Sequence, residues 1–132
     1  MADLLADVVA YLIANDYAVE DGVDIFRDIR PDTPDNIVIV SEYPGLPSQT
    51  GVDALDRRLQ ISVRNSNVNL ARELAWSLYN FLDTPLDRIK DDITEERWGV
   101  LYALQTPFKL DVDDRNRITY AFNLGITTYR DG

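Results

Sequence analysis

Residues 55–83 constrain the fold more than any other stretch of the sequence, because the hydrophobic period changes in the middle of them. Between residues 59 and 64 apolar and polar side chains alternate, which is the period-two pattern of a strand with one buried face. Residues 65–67 (NSN) interrupt this pattern, and any of them could cap a helix. From Val68 the apolar residues recur with helical spacing until Pro85 excludes further helix. The stretch therefore predicts a strand that leads directly into an amphipathic helix.

The residues before this unit predict one more helix and two strands. Residues 4–13 carry apolar side chains at helical spacing, and residues 23–27 predict a short strand. Two prolines make residues 30–35 a stiff, extended connector. The four β-branched residues 37–40 predict a strand that is covered on both faces, or one that borders another subunit. Residues 43–53 contain two prolines and two glycines and predict a long loop, of the length that often carries a function.

The residues after the unit predict mainly β structure. Residues 86–96 form a charged run with weak structural signals. Residues 98–104 and 118–128 each place apolar side chains on one face, and we expect them to pair as an antiparallel hairpin around a turn-bearing segment, residues 108–117. The resulting order α-β-β-β-α-β-β predicts an α+β fold, a largely antiparallel sheet with both main helices packed on one face. At this length we expect a single domain over residues 1–132.

The residue types that most enzymes use are missing or isolated. The sequence has no histidine and no cysteine, which removes the commonest general base, thiol nucleophiles and the usual transition-metal ligands. Its two lysines, Lys90 and Lys109, stand among aspartates, and no glycine-rich phosphate loop is present. We therefore expect no catalytic residue and no cofactor.

Three aspartates near the C-terminus raise the question of a calcium site. Asp111, Asp113 and Asp114 offer carboxylates at close spacing, but Asn116 and Phe122 occupy the positions where a calcium loop requires glycine and glutamate. The match fails, and we expect no metal site. A solvated turn is the simpler interpretation. The alternative is an acidic surface that faces a lumen or a partner.

The charge balance excludes a free nucleic-acid-binding protein. With 23 acidic and 13 basic residues the net charge is −10, the wrong sign for neutralising phosphates. The excess can serve solubility alone, a surface that faces DNA without binding it, or a basic protein partner. Neither a membrane-spanning apolar run nor a basic signal sequence is present, so we expect no membrane association.

Candidate residues for contacts between subunits come from the predicted loop and the central strand. Leu46 and Val52 are the apolar candidates in the loop, although a plain connection explains them equally well. Arg57, Arg58 and Arg64 are placed on the polar face of the strand. They can form ordinary surface ion pairs, or charge-assisted contacts across a subunit boundary.

Taken in order, these features resemble the small minor capsid or tail-terminator proteins of tailed bacteriophages. The resemblance covers nearly the whole chain: the first helix, the FRDIRPDTPD connector, the strand ending ISVRN, the helix beginning NLAR and the late segment LQTPFKLDVDDRNRITYAFNLGI. Its most specific parts are the Val63-Arg64 pair and residues 105–107 (QTP).

The resemblance implies a role in assembly. Such proteins form a ring, often a hexamer, at the end of the tail tube nearest the head, where the ring stops tube growth and meets the head connector. It implies a location in the virion, after assembly in the host cytoplasm, with DNA passing through the ring unbound. Two alternatives remain open: a non-catalytic acidic adaptor or DNA-mimicking inhibitor, which would bind a basic partner as a monomer or dimer, and a carboxylate-dependent hydrolase, which would need a deep pocket.

Overall fold

The computed structural model describes residues 4–44, 54–83 and 98–129, which form one sheet and two helices. This confirms the predicted α+β fold. In chain order the elements are α1 (Leu4–Ala14), β1 (Ile25–Arg27), β2 (Ile37–Tyr43), β3 (Ala54–Asn65), α2 (Val68–Leu82), β4 (Trp98–Ala103), β5 (Phe108–Val112) and β6 (Ile118–Tyr129). Residues 45–53 of the predicted loop and the charged run at residues 86–96 lie outside the described residues. Tyr43, the first residue of that predicted loop, is instead the last residue of β2.

The sheet is built around the long antiparallel pair of β3 and β6. Its order is β1-β2-β3-β6-β4, and β5 pairs with the same strand β6. Because β4 pairs with residues 124–128 of β6 and β5 with residues 118–121, the two strands lie end to end along one edge. Among the strands of the described residues, only β1 is parallel to its neighbour, the strand β2.

Both helices cover the same face of this sheet, as the sequence predicts. Leu59, Ile61 and Val63 of β3 point into a core that also contains the apolar faces of α1 and α2. The register places Ile61 opposite Phe122 and Val40, so one row of apolar side chains crosses three strands. Burial of these side chains away from water is the main source of stability for such a layer.

The helix α2 begins and ends where its sequence requires. Of the three polar residues that could cap it, Asn67 does so: its side-chain oxygen accepts the backbone N–H groups of Asn69 at 3.0 Å and Leu70 at 3.2 Å. At the other end the N–H of Asp83 donates to the carbonyl of Tyr79. These bonds satisfy backbone groups that a helix end otherwise leaves without a partner.

The structure corrects the prediction for the last third of the chain. Residues 108–112 form the strand β5, whereas the sequence predicts only a turn-bearing segment there. The strand β4 pairs antiparallel with β6, as the sequence predicts. The strand that forms a hairpin with β6 is, however, β5, which directly precedes β6 in the chain. Lys109, Leu110 and Val112 are exposed, so the apolar alternation that would have indicated a strand is weak.

The face of the sheet opposite the helices is also partly buried. Ile37 and Ile39 of β2 are both under 5% exposed, although they point away from the helices. This confirms that residues 37–40 are covered on both faces. The cover on this second face includes the connector between β1 and β2, which is held in place by arginine side chains.

Candidate assembly surfaces

Two arginines are buried on the face of the sheet opposite the helices. Arg64 at the end of β3 is 2% exposed, and Arg117 just before β6 is 4% exposed. Burying a guanidinium is costly unless each of its donors finds an acceptor. The acceptors come from the connector, residues 30–35, and from the turn between β5 and β6.

Arg64 is satisfied mainly by backbone carbonyl groups. Its Nη2 lies 2.7 Å from the carbonyl oxygen of Pro34 and also donates to that of Asp32, and its Nε lies 3.2 Å from that of Asp35. Burial lowers the pKa of Arg64, and the nearby positive charge of Arg117 lowers it further. A planar fork of donors suits this arrangement because it reaches several acceptors at once.

Arg117 instead pairs with carboxylates on both sides. Its Nε donates to Asp113 Oδ2 at 2.8 Å, and its two terminal nitrogens contact the carboxylates of Asp32 and Asp35 at 3.2 Å. Desolvation works against the charge of Arg117, but the hydrogen bond with Asp113 and the charges of Asp113 and Asp32 outweigh it and raise the pKa of Arg117. Desolvation raises the pKa of Asp113, but hydrogen bonds from Arg117 and Arg115 outweigh this effect, so the pKa of Asp113 is lowered.

A third arginine joins the connector to β5. Arg30 donates to both carboxylate oxygens of Asp111, at 2.7 and 3.0 Å, and to the hydroxyl of Thr119 at 2.6 Å. The hydrogen bond from Arg30 is the largest cause of the lowered pKa of Asp111. Together, these arginines and aspartates form the connector clasp: Arg30, Asp32, Asp35, Arg64, Asp111, Asp113 and Arg117.

The clasp contains three of the residues that the sequence proposes for surfaces. Arg64, Asp111 and Asp113 make their contacts within the chain, whereas Asp114 is exposed. Their roles at a subunit boundary or an acidic lumen remain predictions. Arg30 and Arg117 are not among the site residues that the sequence predicts, although each lies within a few residues of aspartates, in the segments RPDTPD and DVDDRNR.

The placement of all three predicted arginines on one polar face is wrong. Arg57 lies opposite Ile126 in the register of β3 and β6, and so points to the helix side, whereas Arg58 and Arg64 point to the other side. Arg57 forms a two-pronged ion pair with Glu42 of β2, with both N–O distances 2.7 Å. Successive side chains of a strand alternate between faces, which separates Arg57 from its neighbour Arg58. Leu46 and Val52 lie outside the described residues.

The structure places an exposed acidic turn before β1, where the pair Asp21-Gly22 predicts a turn. We use the name acidic turn for residues 19–23 (VEDGV), which precede β1. Val19 is 79% exposed and Val23 52%, among the largest exposures of apolar side chains in the described residues. The Asp-Gly pair and the flanking acids signal a turn, but only the structure shows that the valines point outward.

A basic aromatic face lies on the outer side of α2 and β6. We use this name for Arg72, Trp76, Lys109 and Tyr120. The Arg72 guanidinium lies 5.9 Å from the centre of the Tyr120 ring, and its Nε is 3.4 Å from the Tyr120 hydroxyl. Trp76 is 40% exposed and packs edge-on against Tyr79. Two cationic side chains beside two aromatic ones form an unusual surface in a chain whose net charge is −10.

The described residues contain few features that suggest a ligand site. No group of three or more carboxylates among them is arranged to hold a metal ion. An open groove beside the start of α2 is lined by Asn65, Leu70, Glu73 and Leu74. No helix in the described parts of the chain is long and apolar enough to span a membrane.

A comparison with known protein families finds a match over most of the chain. The model of the family described as bacteriophage tail terminator protein matches residues 11–130. The match extends from within α1 to the end of β6 and takes in the connector clasp, the acidic turn and the basic aromatic face.

Proposed function

The chain belongs to the bacteriophage tail terminator protein family, and we propose that its copies form a closed ring, a hexamer, that caps the tail tube and joins it to the head connector. Members of this family are structural, non-catalytic components of the virion. The match over residues 11–130 is the observation that carries the proposal. The ring, its size and its partners are the parts of the proposal that the experiment below tests.

A ring of identical subunits needs two different surfaces on each subunit. Such head-to-tail contacts close into a ring when the rotation between copies allows it, and otherwise continue as a filament. The acidic turn and the basic aromatic face lie in different parts of the fold and differ in charge, which supports contacts of this type. The connector clasp supports the proposal indirectly, because a stiff subunit loses less freedom on assembly.

The acidic excess supports passage of DNA through the ring. A lumen lined with carboxylates repels the phosphate backbone and so lowers the affinity for DNA. Asp114 is the candidate among the predicted aspartates whose side chain is exposed. We propose that DNA passes without specific binding, and that the host cytoplasm is where the ring is assembled.

The test is growth of tail tubes in the presence of this chain. Purified tail-tube subunits from the same phage are allowed to polymerise with and without the protein, and tube lengths are measured by electron microscopy. We expect shorter tubes of narrower length distribution, with a ring of added density at one end. The same ring should bind the purified head connector in a pull-down of capped tubes.

Two results would overturn the proposal. Tubes that grow to the same lengths at any concentration of this protein would exclude capping. A tight complex with an unrelated basic protein, with no affinity for tubes, would favour the alternative of an acidic inhibitor. Bovine serum albumin, an acidic protein with no relation to tails, serves as the control for nonspecific effects on tube growth.

A further inference from the structure

We propose that neighbouring copies of this chain contact each other through the acidic turn of one copy and the basic aromatic face of the next. The inference rests on the proposed function, because it identifies the two surfaces through which subunits would close the ring. It assigns a role to exposed residues that the connector clasp and the core do not use.

The acidic turn is already ordered before any contact is made. The carboxylate of Asp24 accepts the N–H of Val19 at 2.9 Å and that of Glu20 at 2.9 Å. The N–H of Gly22 donates to the carbonyl of Ile25 at 2.8 Å, and Gly22 has a φ of +86°, which favours glycine. A turn held in one shape loses little conformational entropy when it binds.

The turn presents apolar groups and negative charge together. Val19 and Val23 project from its two ends, and Glu20 lies exposed between them. Asp21 contributes a second carboxylate, which is shared with Arg27 at 3.1 Å. Two apolar side chains around a charged centre can bury area while the carboxylates select a cationic partner.

The basic aromatic face offers the matching chemistry. Lys109 lies directly opposite Tyr120 in the register of β5 and β6, so both side chains are on the helix side of the sheet. Arg72 contacts the same Tyr120 ring, and Trp76 follows Arg72 by one helical turn. Two cations therefore flank an aromatic surface, and tryptophan, tyrosine and arginine are the residues that most often dominate binding at interfaces.

The geometry points to a second copy as the occupant. The acidic turn adjoins β1 and Lys109 lies on β5, at opposite ends of the strand order. Four strand spacings, roughly 19 Å, separate those two strands, so the turn cannot reach Lys109 of its own chain. Tyr17, two residues before the turn, contacts Ser77 of α2, which lies on a different side of that helix from Arg72 and Trp76. Copies with a net charge of −10 repel each other at a distance, and a local contact between opposite charges offsets this repulsion.

Site-specific cross-linking tests the contact directly, because the chain contains no cysteine. One cysteine is placed in the turn by Val19→Cys, and one in a second preparation by Asn80→Cys, which lies one helical turn beyond Trp76. Equal amounts of the two variants are mixed and treated with a short bismaleimide. We expect cross-linked heterodimers in clear excess over homodimers of either variant.

Matched positions serve as controls for random collision. Ile29→Cys lies near β1 but outside the turn, and Leu70→Cys lies on the opposite flank of α2; both original side chains are more than half exposed. We expect these variants to cross-link much less than the Val19 and Asn80 pair. Equal yields from the two pairs, or a predominance of turn-to-turn homodimers, would overturn the inference.

A second test uses the difference between the two surfaces. The double variant Val19→Ser/Val23→Ser damages only the turn, and Arg72→Glu damages only the face. We expect about tenfold weaker self-association for each alone, and dimers but no larger species in their mixture, since one intact contact remains possible. Lys109→Glu repeats the face test, circular dichroism checks folding, and Leu70→Ser is the unaffected control.

The outcomes separate this inference from the proposed function. Rings whose mass is unchanged by both the turn and the face variants would overturn the inference and leave the function standing. Specific cross-links in a protein that never caps a tail tube would support the contact while the proposed function fails.

Discussion

Arg117 Nε lies 2.8 Å from Asp113 Oδ2, and this ion pair joins the two ends of the turn between β5 and β6. Asp113 also accepts the backbone N–H groups of Arg115 and Arg117, both at 3.0 Å. One carboxylate therefore shapes the turn and neutralises a buried guanidinium. Because Arg117 also contacts Asp32, the same pair links the last hairpin to the connector near the start of the sheet.

Replacing Arg117 by alanine should be among the most destabilising single changes at the connector clasp. The substitution leaves the carboxylates of Asp32, Asp35 and Asp113 close together without their shared cation. Asp113 is the least exposed of the three, so the loss of its partner should cost the most. We expect a large fall in the urea midpoint of unfolding. Arg115→Ala is the control, because Arg115 pairs with Asp32 at the surface and is half exposed. Equal midpoints for the two variants would contradict this account.

Replacing Arg64 by methionine tests whether its role is to donate hydrogen bonds. The apolar stem is retained, but the carbonyl groups of Asp32, Pro34 and Asp35 lose a donor. We expect a loss of about 1–3 kcal/mol in the free energy of unfolding, measured by urea titration. Arg64→Lys should recover only part of it, since an ammonium group cannot reach the carbonyls as a planar fork does. Full stability of the methionine variant would show that the donors are dispensable.

Stability should fall in acid through Asp111 and Asp113. The pKa of each is lowered in the folded protein, so each contributes stability above its unfolded pKa and loses it as the pH falls through its folded pKa. The ordinary value is 3.8, so the loss should begin near pH 4 and continue below it. Thermal unfolding at a series of pH values measures the slope. Asp111→Asn should flatten the slope and lower stability at neutral pH, whereas Asp114→Asn, at an exposed position, should leave stability at neutral pH unchanged.

Replacing the capping residue of α2 should weaken that helix. Asn67→Ala removes the oxygen that accepts the N–H groups of Asn69 and Leu70, and a lost cap of this type costs about 1 kcal/mol. Asn69→Ala is a matched control in the first turn, because its backbone and not its side chain takes part in the cap. Chemical denaturation of both variants measures the difference, and an equal effect at the two positions would contradict the assigned cap.

The left-handed residue of the β5–β6 turn gives a further prediction. Asn116 has a φ of +61°, a conformation that suits asparagine and glycine but strains β-branched residues. We expect Asn116→Gly to leave stability within about 1 kcal/mol, and Asn116→Val to lower it by more than that. Melting temperatures compare the two, and a valine variant as stable as the glycine variant would be inconsistent with this turn.

Much of the fold follows from local patterns in the sequence. The alternation in residues 59–64 and the helical spacing after Val68 are short-range signals, and each element forms where its signal lies. The four β-branched residues 37–40 are buried on both faces, as their composition predicts. The sequence does not predict the strand β5, because an edge strand with exposed side chains lacks the alternation that makes other strands recognisable.

The class of fold, the resemblance to tail proteins and the scarcity of catalytic groups can be read from the sequence, because composition and short-range periodicity do not depend on tertiary contacts. How the charged side chains are used depends on the folded structure. Arg64 and Asp35 are 29 residues apart, and Arg117 and Asp32 are 85 apart. Such pairs meet only when the sheet register is set and the connector folds across the sheet. An arginine that the sequence predicts at the surface can therefore make a buried contact within the chain.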